Sequence, residues 1–342
     1  MTQRDRTAQL KFVSGLLVSG ILVVVEVNFA LAQSNIEPDR TLGSQRSIVQ
    51  PNVILNGIPS DRISGGARRG INLFHSFREF NIDEGRGAYF TNPSGVENIL
   101  SRVTGTNHSN ILGTLGVLGN ANLFLINPNG IIFGQNASLD VKGSFVATTA
   151  NAVQFGDRGF FSATEPNAPT LLTVNPSAFL FNQIATQQPS LTVNSVEGLR
   201  VFDGQNLLLL GGNVSLDRGF LQAFGGRVEL GGVTETGTVG LNIEDNNFSL
   251  SFPNNVARAD VSLTNNALVD VTAGGGGSIA INARNLELSE GSGLRAGIRQ
   301  GLDSARFPMP NGRLSPTEAL RGSQAGDITI QATENVIIQG DR

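Results

Sequence analysis

Residues 122–134 read N-L-F-L-I-N-P-N-G-I-I-F-G, and this stretch limits what the chain can fold into. An apolar run at 123–126 stops at Asn127-Pro128-Asn129-Gly130 and resumes at 131–133. Short runs of leucine, isoleucine and phenylalanine favour strands. Proline fixes φ, while asparagine and glycine tolerate positive φ, so the four residues between the runs favour a tight turn. The pattern is strand, corner, strand, and the same rhythm continues almost to the C-terminus.

Composition agrees with many strands and many corners. Of the 342 residues only 15% are charged, 42 are glycine, and there is no cysteine or tryptophan. A fold without disulfides needs a large core, which repetitive β structures supply. The net charge of −4 gives no basic stripe of the kind nucleic acid requires.

Residues 1–32 have the form of a cleaved signal peptide. Arg4, Arg6 and Lys11 precede an apolar stretch at 12–25, and Ala30-Leu31-Ala32 gives the small-x-small pattern before a cut between Ala32 and Gln33. The competing assignment is a membrane anchor, but the apolar run before Glu26 is only about 14 residues, short of the roughly 20 that span a bilayer. No stable transmembrane segment is expected in the mature chain. Residues 33–47 are polar and predict a flexible lead-in.

From residue 48 strand signals dominate. Asn56-Gly57 after an apolar run marks a hairpin. Phe74, Phe77 and Phe80, spaced by three, fit a short strand bending into a turn and predict aromatic cover for an open end of the core. Residues 156–190, with four prolines, predict an excursion from the main body, such as a small hairpin. The runs at 207–210, 214–216, 220–223 and 228–230 are separated by glycines, and the 21 residues from Leu207 to Val228 suit one turn of a three-sided coil. The segments 241–243 and 248–252 repeat this loosely, and runs at 261–263, 268–271, 279–281, 286–288, 328–330 and 336–338 continue it. Such spacing predicts an all-β parallel β-helix. Gly274 to Gly277 lack a phosphate-cradling pattern and predict a flexible corner. The end at 340–342 has no polar cap, so either a partner covers it or the sequence is a piece of something longer; the second is expected.

The stretch from about 48 to 156 resembles the secretion domain of two-partner-secretion exoproteins, the filamentous-haemagglutinin N-terminal family. The resemblance is carried by Asn127-Pro128-Asn129-Gly130-Ile131, by Val103-Thr104-Gly105-Thr106-Asn107 and by Ile111-Leu112-Gly113; the block 110–134 is similar to the version in large cyanobacterial haemagglutinin-like proteins. It implies a right-handed parallel β-helix (pectin-lyase-like) with an N-terminal cap and side hairpins. It divides the chain into a secretion-domain core at 48–160, its continuation with an excursion at 161–250, and further coils at 251–342. It also implies a cognate outer-membrane barrel transporter as partner, engaged through its periplasmic domains, and a secreted or cell-surface product that passes through the periplasm. The chain would then lead a surface adhesin or stalk.

Two roles are open for the 127–130 corner. Its asparagines can bond to backbone and to one another down a stack of corners, or they can touch the transporter directly. Two other functions compete. A polysaccharide-active enzyme needs paired carboxylates or a metal site, but Asp140, Asp203, Asp217 and Glu229 have no coherent spacing, Asp83-Glu84 fits a solvated turn, and His75 and His108 have no carboxylate nearby in sequence. No enzymatic activity, cofactor or metal is expected. A glycan-binding adhesin could use Arg299, Arg306 and Arg313 in the loop 299–323.

Overall fold

The computed structural model describes residues 34–182, 189–244, 247–298 and 326–340. The signal segment, with Ala30, Ala32 and Gln33, lies outside them, as does the loop 299–323. All described residues fall in one compact unit, and the following concerns that unit alone.

Successive coils stack strand on strand. One wall pairs Asn72–Phe80, Asn98–Val103, Asn122–Ile126, Phe145–Thr148, Asn206–Gly211, Arg227–Gly232, Ser278–Ala283 and Ile328–Ala332, all parallel. A second wall runs from Ser109–Ile111 and Ile131–Phe133 through Leu191–Val193 to Val336–Ile338. Two smaller sheets make the third wall in turn, one around Gly87–Thr91 and the other around Phe220–Gln222. This is a parallel β-helix. Leu207 lies against Val228, so the 21-residue turn expected from the sequence is a coil of the helix.

The first wall is apolar on both faces. Leu207 and Leu209 point into the helix interior, while Leu208 and Leu210 join Phe74, Leu100, Phe124, Ile126 and Val146 in a second core outside it. That outer core is covered by an antiparallel sheet of Ala152–Gln154, Phe160–Ser162, Ala178–Phe181, Gly237–Glu244 and Asn247–Ser251. The excursion is therefore larger than a small hairpin, and 241–243 and 248–252 are not coil strands. Four adjacent leucines on a strand require cover on two sides, since each side chain left in water forgoes about 2 kcal/mol of burial. The same sheet spans residue 160, and the parallel wall runs on past 250 without interruption.

Residues 34–47 are not a loose lead-in. Ile36–Pro38 pairs antiparallel with Asn72–Phe80, Gly43–Gln45 forms a 3₁₀ turn, and Ser47 opens the nine-residue strand Ser47–Leu55. That strand turns through Asn56 (φ 48°) and Gly57 (φ 84°) into Ile58–Gly65, as the Asn-Gly signal predicts. An open β-helix end leaves backbone groups unpaired, and a polar segment can satisfy them without being apolar itself. The cap also buries an ion pair, Arg86 to Asp61 at 3.0 Å. Of the three phenylalanines, Phe77 and Phe80 pack inward with Phe90, whereas Phe74 faces the outer core beside Phe155 and Phe161.

Stacked corners explain much of the glycine. A Cβ on Gly226 would lie 1.9 Å from the Gln205 carbonyl, and one on Gly277 would lie 2.5 Å from the Gly226 carbonyl. Gly274 and Gly275 have open space, so only part of the four-glycine run is a loose corner.

Candidate functional site

Asn127 ends the strand Asn122–Ile126 and is fully buried. Its Oδ1 accepts the Asn129 backbone N–H at 2.9 Å, and its carbonyl accepts the Gly130 N–H at 3.1 Å, closing a tight turn around Pro128. Its Nδ2 donates to the Asn107 carbonyl at 3.1 Å and to Ser109 Oγ at 3.0 Å, both on the preceding coil. Asn129 is exposed, and its Nδ2 donates to the Gly105 carbonyl at 2.9 Å. Gly130 has φ 113°, and its carbonyl accepts the Ser109 N–H. Ile131 turns back into the core between Ser109 and Leu191.

The two sequence motifs therefore form one object. Val103 is a core residue that ends its strand, and Thr104 to Asn107 are the preceding coil's corner, on which Asn127 and Asn129 hang. Below that, Asn107 Nδ2 donates to Glu79 at 2.8 Å, and Gly105 lies so close to the Arg78 carbonyl that a Cβ would sit 2.2 Å from it. The asparagine-on-asparagine stack is elsewhere, at the start of the same strands: Asn122 donates to Asn98 and Asn98 to Asn72, each at 3.0 Å.

Sequence inspection missed the groups that hold this corner column to the cap. Asp39 accepts the Thr41 N–H and hydroxyl on one oxygen, and Ser76 Oγ (2.6 Å) and Thr104 Oγ1 (2.7 Å) on the other. Burial pushes its carboxyl up, but these hydrogen bonds outweigh that and hold it below its ordinary value. Arg102 is 1% exposed and donates to Ser76 Oγ, Thr41 Oγ1 and the carbonyls of Ser162 and Asn167, with its guanidinium 4.3 Å from the Phe161 ring centre. Burial brings its pKa down to about 10, against the nearby Asp39 charge. Beside Ser76, His75 is fully buried, with Nδ1 on Ser47 Oγ at 3.0 Å and Nε2 unpartnered. Burial lowers its pKa to about 3. Asp39 and Thr41 lie 61 or more residues from Arg102 and Thr104 in sequence, so no local pattern links them.

The scattered carboxylates do not converge. Asp140 accepts Asn56 Nδ2, Asp203 pairs with Arg200, and Asp217 accepts Asn265 Nδ2. Glu229 is buried, pushed up by burial against its Arg227 partner and the Leu250 N–H. Among the described residues no cluster of three or more histidine and acidic side chains could hold a metal.

The class these features define is a capped parallel β-helix with a stacked Asn-Pro-Asn-Gly corner and an antiparallel side sheet. The model of the TPS secretion domain matches residues 34–281, and the chain belongs to that family. Among curated proteins, the heme/hemopexin-binding protein of Haemophilus influenzae is 35% identical over 83 residues, which is 24% of this chain and 9% of that protein. The chain thus aligns with only a small part of that relative's length. Among solved structures, the HMW1 secretion domain from Haemophilus influenzae is similar with a TM-score of 0.52 and 17% identity, over 79% of this chain and 68% of that one; this likeness is one of fold. The filamentous hemagglutinin secretion domain is similar with a TM-score of 0.43 and 15% identity, over 90% of this chain and 100% of that one.

Two outcomes follow from the geometry. Asn127→Ala strips partners from three buried or half-buried groups and is expected to cost about 2–3 kcal/mol, whereas Asn129→Ala, at an exposed side chain, costs about 1 kcal/mol or less. Urea unfolding of both variants measures the difference, and equal losses would contradict the assignment of Asn127 as the buried member. The second outcome concerns acid. His75 takes up a proton near 6.5 when unfolded but only near 3 when folded, so its contribution is complete above pH 6.5 and is lost as pH falls toward 3, at about 1.4 kcal/mol per unit. Unfolding free energy is expected to drop by about 2 kcal/mol more between pH 6.5 and 5 in wild type than in His75→Phe. Identical slopes would show that His75 is not the group responsible.

Proposed function

We propose that this chain is an export-targeting domain, read by the periplasmic domains of a cognate outer-membrane barrel transporter, and that it leads a surface adhesin or stalk out through the periplasm. The observation that carries the reading is the division of labour at the corner. Asn127 is spent inside the fold, while Thr106, Asn107, His108 and Asn129 stand exposed on two adjacent coils. Membership of the TPS secretion-domain family supports the same assignment. The buried asparagine is structural, and the exposed rim is the surface offered to the transporter. Among the described residues no helix is long and apolar enough to cross a membrane.

A polysaccharide-active enzyme is disfavoured by the separate engagement of Asp140, Asp203, Asp217 and Glu229, each with its own partner. No cofactor enters the proposal. Glycan binding through Arg299, Arg306 and Arg313 concerns residues outside the described ones and has no geometric support.

Export in a reporter strain, with and without the co-expressed barrel, tests the proposal. Wild type is expected to reach the medium only with the barrel. Thr106→Arg is expected to keep its circular dichroism and thermal midpoint, and Asn129→Arg its circular dichroism with a midpoint lower by only a few degrees, while export falls at least tenfold in both. Failure of wild type to cross with the barrel present would overturn the export assignment. Normal export of both arginine variants would remove the rim as the contact surface.

A further inference from the structure

We infer that the folded domain carries a small saccharide-binding recess where its second wall turns into its third, lined by Gln135, Asn194, Val196, Asp217 and Arg218, and that it takes one neutral sugar ring through the ring's hydroxyls. The inference concerns the folded chain and does not rest on the export reading.

The recess originates in the register of the coils. Strand pairing sets Val193 on Leu216 and Leu216 on Leu263; on the next wall it sets Leu199 on Leu221 and Leu221 on Val269. Between these anchor points one coil spends five residues, 194–198, and another spends five, 264–268. The coil between them spends only four, 217–220. A corner one residue shorter sits back from its neighbour, and the hollow beside it has a volume of about 160 Å³, room for one ring rather than a chain. Backbone hydrogen bonds fix its sides: Asn194 N–H to the Phe133 carbonyl at 2.8 Å, Val196 N–H to the Gln135 carbonyl at 3.2 Å, and Arg218 N–H to the Thr264 carbonyl at 3.1 Å. A site already shaped spares a ligand the cost of ordering it.

The polar groups select the ligand. Asn194 Oδ1 is buried and accepts no hydrogen bond from the described residues, so it calls for a donor. Asp217 takes Asn265 Nδ2 at 2.8 Å on one oxygen, which leaves the other for a second donor. The Arg218 guanidinium stands 3.7 Å from Asp217, beyond hydrogen-bond distance, and has no hydrogen-bond partner among the described residues, so it offers donors of its own. Gln135 brings one group of each kind. A metal cation would meet the arginine charge, and an anion would meet the carboxylate beside the Asn194 oxygen. Hydroxyls donate and accept at once, so a rigid ring bearing several of them satisfies both kinds of group without a net charge. Val196, 36% exposed, supplies an apolar contact for the ring's C–H face.

Arg218 holds φ 58°, a conformation that glycine and asparagine adopt far more readily. The corner of the next coil uses Asn265 and Asn266 there, with φ 56° and 65°. The backbone therefore does not account for an arginine at this position, whereas a donor at the rim of the recess does. The same geometry gives a clean test, because glycine removes the side chain while suiting the turn.

Saturation-transfer and chemical-shift nuclear magnetic resonance of the purified protein with methyl glucopyranoside, galactopyranoside and mannopyranoside tests the inference. At least one is expected to bind with a Kd of about 1–10 mM, as a few hydrogen bonds in an open hollow give, and to shift the Asn194 side-chain amide. Asn194→Ala and Arg218→Gly are expected to raise that Kd at least tenfold, with Arg218→Gly keeping its thermal midpoint, while Asp203→Asn, at the Arg200 pair outside the recess, leaves the Kd unchanged. Arg218→Gly keeps the test open if Asn194→Ala fails to fold. A trisaccharide ending in the same ring separates two sources that both support the recess: equal or tighter binding assigns the end of a glycan, and weaker binding assigns the free sugar. No shift with any of the three rings at about 50 mM would overturn the inference. So would an unchanged Kd in Arg218→Gly, or an Asn194 amide that responds to calcium chloride or sodium acetate and not to the sugars.

Discussion

A coil of a parallel β-helix rests on the coil before it, and every corner must be satisfied by the backbone one turn earlier. The Asn127 side chain is the clearest case. It is fully buried, closes its own turn with Oδ1, and spends Nδ2 on the Asn107 carbonyl and Ser109 Oγ beneath. Asn129 repeats the gesture toward Gly105 from the surface. A motif that looks in sequence like a recognition tag is first a way of stacking one corner on another, and its surface exists because that stacking holds.

The same constraint accounts for the two features around the corner column. The first coil has nothing beneath it, so residues 34–65 close the end with antiparallel strands and a polar network centred on Ser76 and Asp39. On the coil above Asn127, the chain leaves at the equivalent corner and returns at Ser190, after contributing strands to the sheet that covers the outer core. Cap, corner and excursion therefore meet in one region, and Arg102 touches the cap and the excursion directly.

Much of this was legible in the sequence. The strand-and-corner rhythm gave the fold class, the Leu207–Val228 spacing gave the size of a turn, and Asn56-Gly57 gave the cap hairpin. What escaped has physical causes. Residues 34–47 stabilise through hydrogen bonds, so their polarity resembled a linker. The run Leu207 to Leu210 is apolar throughout because both faces are covered, and period alone cannot say by what. The pairing of Phe179 with Val239, and of Asp39 with Thr104, joins residues about sixty apart, beyond any local pattern. The 127–130 turn was legible from its own Asn, Pro and Gly residues, and Val103 to Asn107 were marked by a resemblance; which asparagine is buried and which exposed required the coordinates.

Side-chain amide exchange of Asn127 and Asn129, followed by nuclear magnetic resonance in the native protein, tests the central claim most directly. The account predicts that the Asn127 amide protons exchange only when the domain unfolds globally, while those of Asn129 exchange through local fraying at rates at least a hundredfold faster. Asn127 protons exchanging as fast as those of Asn129 would mean that the corner is not anchored on the coil beneath it.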